Sequence, residues 1–301
     1  MDRQAADTAI AAIREDRTKG AAELAEAGCR VLGSVAREGE PEAVMSVARS
    51  LMDARPAMAP IANWAAAFVE AYRDAPVEAV QETGPRIMAE VEAVKARLHD
   101  CAVAAIRDLA ARPHIFTLSY SSSVASVLQA LGGKVRVTIA ESRPLMEGRA
   151  LAEKLLAAGC AVSLITDAQV ALAVPDCDTV LLGADAVGCD GCVINKVGSR
   201  IAAQFAGDSG ISVLAICDSF KVNHLVDITN YFGESENGGE VWPAHPEFAR
   251  NVTFEAVPAV LVDGYLTDRG RILKDDIGSC ARTWRARHES ARSWMAEVGG
   301  A

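Results

Sequence analysis

The chain contains no run of 18 or more apolar residues, so no transmembrane helix is expected. Its opening stretch, MDRQAADTAIAAIRED, is charged throughout and has no signal-peptide core. The expected compartment is therefore a reducing cytoplasm. There, Cys29, Cys101, Cys160, Cys177, Cys189, Cys192, Cys217 and Cys280 are thiols and not a disulfide framework. Without a secretory signal, the sequon Asn251-Val252-Thr253 has no use. Positive charge is also short: 30 Lys and Arg against 40 Asp and Glu leave a net charge of −10. No Lys/Arg-rich stretch offsets this, so a nucleic-acid backbone is repelled. A small phosphorylated ligand is not excluded, because a few well-placed Arg and Lys groups suffice to hold it.

Metal and nucleotide fingerprints are missing too. The five histidines (His99, His114, His224, His245, His288) show no metal spacing. Cys189-Asp190-Gly191-Cys192 is a CxxC with no second CxxC or His pair to complete a zinc site, and its Asp-Gly reads as a hairpin turn. Gly207-Asp208-Ser209-Gly210 resembles a serine-protease nucleophile loop, but it falls between a helix and the run ISVLAIC with no triad partners in view. Neither GxGxxG nor GxxxxGK occurs. No metal and no cofactor is expected.

What is present is a globular composition, half apolar, over 301 residues, enough for two domains. Up to about residue 110 the apolar positions recur at three-to-four spacing, as in AAELAEAGCRVLGSVA, and the segment reads as helices. After Pro113 short apolar runs alternate with helical stretches: HIFTLS, SSVASVLQAL, KVRVTIA, MEGRALAEKLLAAG, AVSLIT, DTVLLGA, INKVGSRIAAQFAG, ISVLAIC. That alternation predicts a parallel sheet covered by helices. The expected class is α/β, with a helical domain over 1–110 and a Rossmann-like parallel-sheet domain over 111–301. Gly159 and Gly207 are placed as helix ends. The polar stretch 222–256 is read as a loop insertion, AVLVDGYL at 259–266 as a strand, and TWRARHESARSWMAEV as a C-terminal amphipathic helix with a basic face.

Three segments carry candidate chemistry. In GADAVGCDGCVINKVGSR, the run TVLLG delivers Asp185 at a strand's carboxyl end, where ligands bind in open parallel sheets. Asn195-Lys196-Val197-Gly198 then reads as a helix start suited to an anion, with Lys196 adding a full charge and Asp185 available as general acid or base. Alone, Asp185 would be an ordinary strand end and Asn195 an ordinary cap; the combination favours a ligand site. ESRPLMEGR follows KVRVTIA and puts Arg143 at the same edge, as an anion ligand. FTLSYSSS offers Ser119, Tyr120 and further hydroxyls at the next helix start, equally explained as capping. In the helical half, Gly20-Ala21 opens a helix, Gly20 allowing close approach of a phosphate, and Arg55 is a candidate phosphate clamp.

GADAVGCDGCVINKVGS resembles the pattern GAD-x-(I/V)-x-x-x-G-x-(V/I)-x-NK-(I/V)-GT shared by methylthioribose-1-phosphate isomerase, ribose-1,5-bisphosphate isomerase and the alpha-type subunit of initiation factor 2B. ESRPLMEGR, Asp218-Ser219-Phe220-Lys221, RTKGAAEL, ARPAMAP and VPAVLVDGYLTDRG are similar to that family's other motifs, so the resemblance covers roughly residues 10–272. It implies a helical domain before a Rossmann-like one, a homodimer or larger homo-oligomer, and a ribose-type sugar phosphate as ligand. The implied reaction turns an aldose 1-phosphate into a ketose 1-phosphate, using a Cys and an Asp. By motif, the Asp is Asp185. Asn195 and Lys196 would hold sugar and phosphate, and Arg143, Arg55 and the Gly20-Ala21 backbone would complete the phosphate pocket. The family's catalytic Cys is replaced here by Ser119, a far weaker acid that needs an adjacent base. Ser119-Tyr120 is similar instead to the initiation-factor subunits, so a non-catalytic sugar-phosphate sensor or assembly partner stands as the alternative.

Overall fold

The computed structural model describes residues 2–16, 19–38, 40–55, 58–75, 77–224 and 235–299. Along the chain, helices come first: α1 (Arg3–Glu15), α2 (Ala21–Ala36), α3 (Pro41–Met52), α4 (Ala59–Arg73) and α5 (Thr83–Arg107). The alternating part follows as β1 (His114–Leu118), α6 (Ser122–Leu131), β2 (Arg136–Ala140), α7 (Glu147–Ala157), β3 (Ala161–Ile165), the single turn α8 (Val170–Ala173) and β4 (Thr179–Leu182). Then come β5 (Ala186–Gly188), β6 (Val193–Lys196), α9 (Ser199–Ser209), β7 (Ser212–Ile216) and β8 (Val222–Asn223). The chain closes with β9 (Ser235–Glu236), β10 (Asn251–Val252), β11 (Phe254–Val257), β12 (Gly264–Thr267), β13 (Gly270–Ile272) and α10 (Lys274–Gly299).

Several elements depart from the sequence reading. Asn195 and Lys196 end strand β6; the helix begins only at Ser199, after Gly198 at φ 105°. Gly207 lies inside α9, and Gly210, at φ 71°, is the residue that ends it. The described part of 222–256 is not all loop, because β11 pairs antiparallel with β6 and β9 with β10; residues 225–234 lie outside the described set. Within 259–266 only Gly264 onward is strand. The C-terminal helix starts at Lys274, ahead of the amphipathic run.

The chain divides into two compact units that do not follow a single cut near residue 110. One comprises the residues up to Val94, a short segment from Ser219 and the C-terminal segment from Ser279. The other runs from Lys95 to Asp218 and resumes after β8 as far as Gly278. The cause is a long-range core in the helical unit. On α10, Trp284, His288, Ala291 and Met295 recur at helical spacing and are all buried. Phe220 packs between the rings of Trp64 (5.6 Å) and Trp284 (5.2 Å). Asn63, 1% exposed, donates to the carbonyls of Phe220 (2.7 Å) and Val222 (2.9 Å) and lies 2.8 Å from His288 Nε2.

The second unit is built on a seven-stranded sheet in the order β13-β12-β7-β4-β1-β2-β3, parallel except for the β12–β13 pair. Ile115, Val137, Ile139, Leu181, Leu214 and Ile216 on the strands meet Ile106, Leu128 and Leu151 on helices in one core. Near-continuous apolar strands of this kind suit a sheet covered on both faces. The strand order runs outward in both directions from β1 and β4, the arrangement that opens a crevice at the carboxyl ends of those two strands. No helix among the described residues is long and apolar enough to cross a membrane.

Candidate active site

At the carboxyl end of β1 the chain turns through Ser119, whose φ of 57° is left-handed, into α6, where Ser121 Oγ accepts from Val124 N at 3.5 Å. At the carboxyl end of β2 it turns through Ser142 (φ 60°) and Met146 (φ 58°) into α7. These are the three non-glycine residues with positive φ in the described chain. Each costs about 1 kcal/mol or more and persists only where the surroundings fix it, which is common at binding sites. The β2 turn is fixed by Asp167, whose two carboxylate oxygens accept from Ser142 N (2.8 Å) and Arg143 N (2.7 Å). Glu141 adds an ion pair to Arg149 at 2.8 Å.

From the β4 side, Gly183-Ala184-Asp185 leads into the β5–β6 hairpin, and Asp185 N donates to Ile194 O at 2.8 Å. Gly183 is glycine for steric reasons: a Cβ there would lie 2.7 Å from Ser121 Cβ and 3.5 Å from Asn195 Oδ1. The ends of β1, β4 and β6 therefore converge on Gly183. Asn195 Nδ2 donates to Ser199 Oγ (2.9 Å), which donates to the Lys196 carbonyl (2.6 Å). Asn195 and Lys196 are 8% and 7% exposed, and Ser119 is 8% exposed.

Lys196 is not an isolated cation. Its Nζ lies 2.5 Å from Glu147 Oε1, at the first residue of α7. The other oxygen, Glu147 Oε2, is buried and has no hydrogen-bond partner among the described residues. Arg143, by contrast, is exposed and its guanidinium has no acidic partner among the described residues. The amino end of α9 is also occupied: Glu255 Oε1 accepts from Gly198 N (2.8 Å) and Arg200 N (2.9 Å). That carboxylate fills the anion place which the sequence assigned to the Asn195-Lys196 segment.

The remaining expected residues lie in the helical unit. Gly20 caps α2 with an ordinary φ of −71°, its N–H donates to Glu23 at 3.4 Å, and a Cβ there would meet nothing within 4 Å. Ala21 is buried, and Arg55 Nη1 donates to the Asp16 carbonyl at 2.5 Å. Pro56, next in the Arg55 motif, lies outside the described residues.

His114 cannot serve Ser119 as a base. It opens β1, so about five residues at ~3.3 Å each separate it from that serine. Its ring nitrogens lie 2.9 Å from the Asp176 carbonyl and 2.8 Å from Thr138 Oγ1. Cys192 is buried and donates to Val257 O at 3.2 Å in the expected hairpin, and no cluster of metal-ligating side chains occurs among the described residues.

The sequence model of the initiation factor 2 subunit family matches residues 1–274. The chain belongs to that family. Among curated relatives, a ribose 1,5-bisphosphate isomerase of Haloferax volcanii is 28% identical over 284 residues, spanning 86% of each chain. A putative translation initiation factor eIF-2B subunit 2-like protein of Pyrococcus furiosus is 26% identical over 273 residues, covering 87% of this chain and 94% of that one. Among solved structures, Pyrococcus horikoshii eIF-2B superposes with a TM-score of 0.75 at 24% identity, covering 90% of this chain and 97% of that one. The 5-methylthioribose 1-phosphate isomerase of the same organism gives 0.71 at 20% identity, covering 93% and 87%. The α/β fold with its N-terminal helical region is the fold of these proteins.

Asp167, Glu147 and Glu255 went unseen in the sequence as site residues. Each acts on backbone or side chains brought to it by the fold; Glu147 falls within ESRPLMEGR, but nothing local ties it to Lys196.

Proposed function

We propose that the chain binds a phosphorylated ribose-type sugar in the crevice at the carboxyl ends of β1 and β4 and converts an aldose 1-phosphate to its ketose 1-phosphate. The observation that carries this reading is the convergence of Ser121, Gly183 and Asn195 where the strand order diverges, with the left-handed Ser119 at the end of β1, Asp185 and the strained β2 turn at the same sheet edge. The isomerase relatives support the reaction class. A sugar phosphorylated at C1 has no free hemiacetal to open by itself. Asp185 serves as the acid that protonates the ring oxygen as the ring opens. Arg143, exposed and without an acidic partner among the described residues, takes the phosphate. Within the helical unit, Gly20, Ala21 and Arg55 are further candidates for a phosphate contact.

A second reading is favoured by Ser119 at the family's Cys position: a sugar-phosphate-sensing or assembling subunit that binds without turnover. A homodimer or larger homo-oligomer is carried with either reading; the solved tetrameric eIF2B-beta2-delta2 complex shows this fold in a multi-chain assembly, there of two different subunits. Thermal-shift titration of wild type and Arg143→Ala with ribose 1,5-bisphosphate, methylthioribose 1-phosphate, ribose 5-phosphate and AMP tests the pocket. A ligand of the native state raises the melting temperature by mass action. The expected result is a shift with a sugar phosphate that Arg143→Ala loses; equal shifts in both proteins would remove Arg143 from the site.

A further inference from the structure

Removing the family's thiol leaves the proposed reaction without a group to move the carbon-bound proton. His114 is not placed to serve Ser119 as a base, because it stands at the opposite end of β1. Besides Asp185, the fold brings the carboxylate of Glu147 to this edge. It starts α7 directly after the strained β2 turn, and Lys196 fixes one of its oxygens at 2.5 Å. Lys196 itself ends β6, which continues from β4 through the hairpin. The sheet order β4-β1-β2 therefore sets the carboxyl end of β1, with Ser119, between the elements that supply the two partners.

Two features separate this pair from a structural ion pair. The second oxygen, Glu147 Oε2, is buried yet unpartnered among the described residues, an arrangement that costs about 1–3 kcal/mol unless a donor or proton arrives. The pair also changes what Lys196 can do. A phosphate brought to Lys196 would meet a carboxylate already seated there, whereas Arg143 carries no such competitor. The charge distribution thus assigns the C1 phosphate to Arg143 and leaves the Lys196–Glu147 pair for the neighbouring C1 and C2 atoms.

Resting on the isomerase reading above, we infer that Glu147 is the proton-transfer group of this site, with Lys196 fixing its carboxylate. Glu147 takes the proton from C2, and the C2–H electrons form the C1–C2 double bond. The bond from C1 to the ring oxygen breaks with its electrons on oxygen, which takes a proton from the Asp185 carboxyl group. Glu147 then returns its proton to C1, and the C2 hydroxyl gives its proton to Asp185. The product is the ketose 1-phosphate, and both carboxyl groups regain their starting state.

The test uses the full chain with ribose 1,5-bisphosphate, following binding by calorimetry and ketose by NMR. Glu147→Gln keeps an oxygen for Lys196 but cannot hold the proton. It should bind within about 3-fold of wild type and lose at least ~100-fold in kcat. Glu147→Ala should lose as much and recover about 10-fold or more with added formate, a rescue that a merely structural residue would not give. An active wild type with Glu147→Gln turning over within about 10-fold would overturn the assignment and leave the isomerase reading intact. A wild type that makes no ketose would overturn both.

Discussion

Lowering the pH from about 7.5 to about 5 should destabilise the helical unit by roughly 4 kcal/mol, through two buried imidazoles that fold in their neutral form. His224 and His288 are 6% and 2% exposed, with ring centroids 4.1 Å apart. Asn63 uses its amide to donate to two carbonyls, so its oxygen accepts and His288 Nε2 carries the proton. His288 Nδ1 is then a bare lone pair, buried with no partner among the described residues. Protonating it would create a buried cation with an unmet donor. Burial, then the charges of Arg285 and Arg292, push His224 down to about 4; burial, then His224 and Arg292, push His288 down to about 3. In the unfolded chain both titrate near about 6.5, so the unfolded state binds more protons throughout that interval. The contribution is complete above about pH 6.5 and is lost as pH falls, at about 1.4 kcal/mol per unit for each imidazole. At about pH 5 that is roughly 2 kcal/mol each. Urea unfolding followed by tryptophan fluorescence suits this unit, since Trp64, Trp284 and Trp294 all lie in it. The double variant His224→Phe/His288→Asn should flatten the dependence. Wild-type stability that stays level between about pH 7.5 and about pH 5 would refute the reasoning.

Other outcomes follow from the second unit. Arg143→Ala should weaken sugar-phosphate binding by about 10- to 150-fold, the equivalent of one charge-assisted contact, read by calorimetry. Asp167→Ala should weaken the same binding with the Arg143 side chain intact, because two backbone N–H groups of its turn lose their acceptor; unchanged affinity would make that turn irrelevant to the ligand. Glu255→Ala should cost about 1–2 kcal/mol in urea unfolding by uncapping α9. Gly183→Ala should displace Ser121, lowering affinity in the titration that reports Arg143.

The sheet was legible in the sequence because its strands are short apolar runs separated by helices of clear periodicity, and the class follows from that alternation alone. The motifs likewise located Asp185, Ser119 and Arg143 at strand ends. Asn195 and Lys196 were placed on the wrong element for a local reason. In VINKVGSRIAAQF, Ile194, Val197 and Ile201 mimic helical spacing, and only the antiparallel partners β5 and β11 make Val193–Lys196 a strand. Glu147 stayed hidden because its meaning depends on Lys196, far along the chain, and because a glutamate at a helix start is ordinary. The capping role of Glu255 and the long-range anchoring of Asn63 on residues after Ser219 were invisible for the same reason. The helical unit's use of α10 needs tertiary packing that no local pattern announces.

The central claim is tested most directly by incubating the wild-type chain with ribose 1,5-bisphosphate labelled with carbon-13 and recording NMR spectra over time. The account predicts loss of the ring-carbon signals and growth of a ketone carbon at C2. Spectra that remain those of the aldose would contradict it.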